Sequence, residues 1–237
     1  MTLRLHWSPD SANLVIRMAL ESFGLPYDQI RIRRDRLDHR KPDYLELNPQ
    51  GLLPVLEDGE LVLFETAAIL LHLCDRVGHL RPDGAPSNDA QMRAAFLKWL
   101  FYLSNTLHAD LRVIFYPQRY LPDAPDQLRR AFTGRFVTHL DLIERSLPEQ
   151  GGLAGPITML EVYLACQIRW ALIYPQPDGS LESLQPWPRI ELILSELEAR
   201  PAIRRACEAE HIMDERPFTR PSLARIPAEE IFGGSNT

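Results

Sequence analysis

An α/β domain followed by an all-α domain is the fold class this sequence predicts, on three observations. The first 77 residues alternate strand-like apolar runs with helical ones. A stretch rich in Pro, Gly and polar residues, Gly78–Ser87 (GHLRPDGAPS), follows them. From Asn88 onward the apolar spacing is helical, and no alternating run of strand length occurs.

Leu3–Trp7 alternates as a half-buried strand does, and Ser8-Pro9-Asp10-Ser11 is a turn. The spacing then predicts a helix from about Asn13 to Phe23, closed by Gly24 with Pro26 beyond it. Tyr27–Arg33 resumes a strand pattern, and Pro42–Leu47 reads as a short helix. Asn48–Leu73, NPQGLLPVLEDGELVLFETAAILLHL, supplies a strand, a turn at Asp58-Gly59, a second strand and a helix. The resulting β-α-β-α-β-β-α order opens with a crossover, so the first two strands are expected to pair in parallel. Gly78–Ser87 is the linker. Beyond it the clearest helix start is the capping box Thr158-Met159-Leu160-Glu161, after Gly155-Pro156, leading into an apolar helix through Trp170. Pro175–Pro188 is expected as a loop and Arg189–Arg200 as a helix. The segment after His211, with Pro217, Pro221 and Pro227, is expected to be extended or mobile. The expected domains are therefore 1–77, a linker 78–87, a helical domain 88–210 and a C-terminal extension 211–237.

With 237 residues, 45% of them hydrophobic, the chain can bury one large core or two modest ones. A net charge of −6 and a pI near 5.7 argue against a nucleic-acid partner. No run approaches the roughly 20 apolar residues of a membrane span, and MTLRLHWSPDSANLV does not read as a secretory leader, so a cytoplasmic location is expected. Cys74, Cys166 and Cys207 are odd in number and widely spaced, which suits buried reduced thiols and gives no metal-ligand spacing. All basic residues but Lys41 and Lys98 are arginine, a bias that fits a GC-rich bacterial genome.

Two features point to a ligand. Pro54 sits where a strand begins; an X–Pro bond there allows a cis peptide and leaves the Leu53 backbone free to pair with an extended peptide. Glu65-Thr66 opens a helix, where a carboxylate, a hydroxyl and exposed N–H groups can meet an α-amino and an α-carboxylate group. Together they describe a site for a small peptide, although Glu65 and Thr66 alone would read equally well as a helix cap.

NPQGLLPVL resembles the Asn-Pro-x-Gly-x-Val-Pro-x-Leu segment of the cytosolic glutathione S-transferase family, and FETAAILLHL resembles the acidic-hydroxyl pair opening that family's third helix. The Thr158–Glu161 box is similar to the one in its C-terminal domain. Trp99-Leu100, Tyr102, Leu107-His108 and Arg169-Trp170 resemble the bacterial beta class. The resemblance covers most of the chain and implies a thioredoxin-like N-terminal domain followed by an all-helical C-terminal domain. It also implies glutathione as co-substrate, no metal, a homodimer and a role in detoxification. Two departures matter: Ala12 stands where beta-class members carry a cysteine, and Leu52 where Gln is usual. No Cys precedes Cys74. A mixed disulfide with glutathione at the first turn is therefore excluded.

On this resemblance Leu53, with Pro54, pairs with the cysteinyl backbone of glutathione. Glu65 meets the γ-glutamyl amino group and Thr66 its carboxylate. Arg36, from the basic run Arg31, Arg33, Arg34, Arg36 and Arg40, meets the glycyl carboxylate, with His39 and Lys41 competing for that role. A run of this kind is otherwise a solvated surface. Ser11 donates to the thiolate; its plain alternative is a helix cap, and Asn13 or, less favourably, Ser8 could supply the donor instead. Asn105, His108, Arg112 and Tyr116 form a polar stripe at spacings of three, four and four, read either as a buried network or dimer contact or as the wall of a second-substrate pocket. His108 matches the beta-class histidine and is a second catalytic candidate. Trp7, Trp99 and Tyr102 read as core packing, and Asp110 and Glu161 as structural. The function implied is conjugation of glutathione to a small apolar electrophile. The alternatives are a glutathione-dependent peroxidase or disulfide reductase, and a non-catalytic binding protein.

Overall fold

Alternation puts Leu3, Leu5 and Trp7 of β1 (Leu3–Trp7) on the covered face of a four-stranded sheet, each 7% exposed or less. The chain of this computed structural model is described over residues 2–85, 89–174 and 180–222. After β1 come α1 (Asn13–Phe23), β2 (Tyr27–Arg31), α2 (Pro42–Leu47), β3 (Val55–Asp58), β4 (Leu61–Phe64) and α3 (Thr66–Val77). This is the expected β-α-β-α-β-β-α order. The strands lie in the order β2-β1-β3-β4, with β1 parallel to β2 and antiparallel to β3, and β3 antiparallel to β4. β2 ends at Arg31, before the expected Arg33, because Asp38 accepts the Arg33 N–H at 3.0 Å and folds the chain into two 3-10 turns. α1 ends at Gly24, whose φ of 62° lets its N–H turn back to Leu20 and Glu21. The buried faces of α1 (Leu14, Val15, Met18) and α3 (Ile69, Leu70, Leu73) complete this core with the sheet.

The chain divides into two compact units, the first comprising residues 2–84 with Arg200–Met213. α9 (Pro201–Ala209) thus packs on α1, whereas its place in the sequence falls within the helical stretch 88–210.

The second unit, residues 85–199 with Asp214–Ser222, is helical: α4 (Ala90–Tyr102), a π-helical turn at Leu103–Leu107, α5 (His108–Phe115), α6 (Pro125–Ser146), α7 (Met159–Ile173) and α8 (Pro188–Glu198). α7 is buried around its whole circumference, as an all-round apolar helix must be. Its capping box is formed: Leu160 N–H donates to Thr158 Oγ1 and Thr158 N–H to Glu161 Oε2 at 2.7 Å. The buried Glu161 also accepts the Leu153 N–H, closing the GGLAGP loop onto the helix.

The segment after His211 is irregular as far as Ser222, but it is anchored, unlike the extended or mobile tail expected from its prolines. In the second unit Phe218 is fully buried, and Glu198 accepts the N–H groups of Phe218 and Thr219. Arg169 there donates to the Pro217 carbonyl and pairs with Asp214. Pro227 and the rest of 223–237 lie outside the described residues, as do 86–88 of the expected linker and 175–179 of the expected loop.

Candidate functional site

One end of the sheet gathers most of the first-unit candidates. Trp7 pairs with Arg31, His6 with Val55 and Val55 with Phe64. The turn after β1, the chain after β2, Leu53-Pro54 before β3 and Glu65 after β4 therefore all emerge at the same edge.

The Leu53–Pro54 peptide is cis. Leu53 packs its side chain on a core of Ile32, Tyr44 and Val55, and among the described residues nothing hydrogen-bonds its N–H or C=O. The preceding loop is pinned: Tyr44 Oη and Asn48 Nδ2 donate to the Leu52 carbonyl at 2.7 and 2.9 Å, and Asn48 Oδ1 accepts the Gln50 N–H. Gly51 has φ 63°, and a Cβ there would stand 2.7 Å from the His39 carbonyl oxygen. Glu65 holds φ 74° and ψ 113° at the N-terminus of α3, exposed, with Gln50 Nε2 donating to its carboxylate at 3.3 Å. Its side chain makes no cap bond to the helix. Thr66 is buried as the first residue of α3.

In the turn after β1, Ser11 is half-buried and does not cap α1; the N-cap is Ala12, with no side-chain bond. Ser11 Oγ lies 3.1 Å from the Ser8 carbonyl oxygen and against Asn13 Oδ1, both acceptors. Asn13 is fully buried; its Oδ1 also accepts the Ser8 N–H at 2.9 Å, and its Nδ2 donates to Glu210 Oε1 at 2.7 Å. Asn13, the alternative thiolate donor, thus spends its amide inward. Ser8 is also buried. Asp10, at φ 47°, gives its N–H to Glu210 Oε2 at 2.9 Å.

Arg36 is exposed, and among the described residues its side chain makes no hydrogen bond or ion pair; Arg33 and Lys41 pair with Asp35 and Asp38. In the second unit the spacing of Asn105, His108, Arg112 and Tyr116 presupposes one uninterrupted α-helix. Instead Asn105 lies in the π turn, which turns it relative to α5, and Tyr116 lies beyond the end of α5 with φ −129°. His108 Nδ1 hydrogen-bonds Tyr163 Oη at 2.7 Å, and its ring lies 5.6 Å from Trp170. Burial, with the Arg112 charge beside it, pushes the His108 pKa down to about 4. The ring is therefore neutral at pH 7. Arg112 is half-buried, and its side chain has no hydrogen-bond or ion-pair partner among the described residues. Trp7 and Trp99 are buried, Tyr102 hydrogen-bonds His139, and Asp110 pairs with Arg135.

Gln50, Arg17, Tyr163 and Glu210 were not singled out from the sequence. Gln50 had a signal in the NPQG turn; Glu210, some two hundred residues from its partners, had none. Among the described residues no group of three or more His, Cys, Asp or Glu could hold a metal ion, and no helix is long and apolar enough to cross a membrane.

Residues 1–75 match the family described as glutathione S-transferase, N-terminal domain. Glutathione S-transferase 3 of Zea mays is 30% identical over 159 residues, 65% of this chain and 70% of that protein. Glutathione S-transferase 2 of Anopheles gambiae is 34% identical over 117 residues, 49% of this chain, and the match spans about half (54%) of that relative's length. A glutathione transferase structure from Methylococcus capsulatus has a TM-score of 0.71 at 27% identity, covering 88% of this chain and 98% of that one. A glutathione transferase homologue from Sulfitobacter, with bound glutathione, has a TM-score of 0.75 at 20% identity over the same shares, which shows a common fold.

Proposed function

The chain belongs to the glutathione S-transferase family, and from that premise we propose that it conjugates the glutathione thiolate to small electrophilic substrates. Within the family it is nearest the bacterial beta class, without that class's cysteine. The observation that carries the reading is the juxtaposition of the unpaired Leu53 backbone with a strained, outward Glu65 at one sheet edge. An extended peptide can add there by backbone pairing, while Glu65 takes its ammonium group. Arg36 meets the glycyl carboxylate, and Thr66 the γ-glutamyl carboxylate. Ser11 turns its hydroxyl from the Ser8 carbonyl toward the sulfur and favours the thiolate, helped by the uncapped N-terminus of α1. His108, neutral, orients the electrophile rather than carrying a proton. Arg112, Asn105 and Tyr116 line the second-substrate pocket, Arg112 as a cation for any acidic substituent. The enzyme is a cytoplasmic homodimer and serves detoxification. Catalysis consists of a lowered thiol pKa plus proximity, with no covalent enzyme intermediate.

Calorimetric titration with glutathione, followed by conjugation of an aryl halide, tests the proposal. Saturable binding with turnover is expected. Absence of heat at millimolar glutathione sinks the enzyme reading, and hydroperoxide turnover exceeding that of aryl halides transfers it to a peroxidase.

A further inference from the structure

Three buried polar residues, Asn13, Arg17 and Glu210, each 0% exposed, meet beneath the turn after β1, all within the first unit. Burying a charge costs several kcal/mol unless it is paired and its remaining positions satisfied, so a fully buried Glu needs a reason. Glu210 accepts from three directions: Asp10 N–H on Oε2 at 2.9 Å, and Asn13 Nδ2 and Arg17 Nε on Oε1 at 2.7 and 2.9 Å. Arg17 is itself fixed by Tyr27 Oη and Gln29 Oε1 and lies over the Trp7 ring at 4.5 Å. All three contacts on Glu210 come from donors, and only an ionised carboxylate is acceptor-only. The two ends of Asn13 are thereby made inequivalent. Its amide must face Glu210, so its carbonyl must face the Ser8 N–H and the Ser11 hydroxyl.

We infer that Glu210 is a positioning residue for Ser11: it holds the turn through Asp10 and, by directing Asn13 Oδ1 onto the Ser8 N–H, fixes the backbone that carries Ser11, whose single hydroxyl proton is then free to leave Asn13 Oδ1 for the sulfur. The inference rests on the proposed role of Ser11 and adds a long-range component to it. α9 lies in the first unit, and Glu210, just past its end, finishes the turn from which the thiol is activated. Ile212, fully buried two residues on, anchors the chain there. The charged groups facing Glu210 are Arg17 from α1 and Asp10 from the turn, with Tyr27 of β2 reached through Arg17. Burial pushes the Glu210 pKa up to about 7, and Arg17 pulls it back.

Glu210→Gln, which sets an NH2 group against one of those donors, tests this in the full-length protein by amide hydrogen exchange and by thiolate absorbance of bound glutathione. Asn13→Ala removes the bonds to Ser8, Ser11 and Glu210 Oε1 while leaving Glu210 its Asp10 and Arg17 contacts, and serves if the first variant does not fold. Exchange at Ser8 and Asp10 is expected to speed up at least tenfold in Glu210→Gln. In both variants the bound-thiol pKa is expected to rise by about one unit and kcat to fall about tenfold, with KM for glutathione unchanged. Unchanged exchange in a folded Glu210→Gln overturns the inference. So does faster exchange with an unmoved thiol pKa, which would leave Glu210 merely structural. If Glu210→Gln does not fold, an unmoved thiol pKa in Asn13→Ala overturns it. Failure of the wild-type protein to bind glutathione instead overturns the proposed function, and the exchange measurement still decides whether Glu210 holds the turn.

Discussion

Glu65, at φ 74° and ψ 113°, occupies a region that residues carrying a Cβ rarely adopt, and it does so at an exposed helix start. Strain of this kind costs of order 1–3 kcal/mol and persists only where the surroundings enforce it, which is typical of ligand sites. The conformation turns the carboxylate away from the α3 N–H groups it would otherwise cap. Glu65→Ala is therefore expected to abolish retention on immobilised glutathione while leaving the melting temperature unchanged or raised; normal retention would remove Glu65 from the site. His108 gives a pH-dependent counterpart. Its folded pKa of about 4 lies below its ordinary 6.5, so between those values the unfolded chain binds the proton and the folded one does not. Its contribution to stability is full above pH 6.5 and is lost as pH falls toward 4. In His108→Gln the melting temperature should vary less over that window, and an equally steep decline would place the titration elsewhere. From sequence, Glu65 and His108 were visible as residue types in a familiar order; the backbone angle of one and the neutral state of the other depend on surroundings that residue identity does not carry.

The loop that carries Leu53 is held by Tyr44, Asn48 and Gly51, which keep it rigid while the Leu53 backbone makes no hydrogen bond among the described residues. Gly51→Ala places a Cβ 2.7 Å from the His39 carbonyl at positive φ. It is expected to cost about 1–3 kcal/mol and to lower the melting temperature by several degrees. Glutathione affinity should weaken with it because Leu52 and Leu53 shift; a variant as stable as the parent with normal affinity would show that the loop yields freely. Elements of this size were legible wherever a local signal existed. Gly24 ended α1, Pro42 began α2, and the Thr158–Glu161 box began α7. The π turn at Leu103–Leu107 had no such signal, because its residues fit an α-helix equally well. That is why the evenly spaced stripe read across it does not lie along one helix face.

At the scale of the molecule, the β-α-β-α-β-β-α order and the helical second unit followed from periodicity, since each element buries the face its own sequence makes apolar. The placement of α9 in the first unit did not, for α9 packs on α1, with the Arg17–Glu210 pair just past its end, across most of the chain. On the proposed function, recognition is encoded mainly locally, in residues 48–66, whereas the turn assigned to thiol activation is completed by Glu210, some two hundred residues on. The two halves of the account come together in the ionisation of bound glutathione. Ultraviolet titration of the thiolate in the glutathione complex tests them most directly, with Ser11→Ala measured alongside. The expected result is a bound thiol titrating well below the roughly 8.5 of a free thiol, and moving back toward it in Ser11→Ala. A thiol that binds but titrates as it does in water, identically in both proteins, would contradict the account.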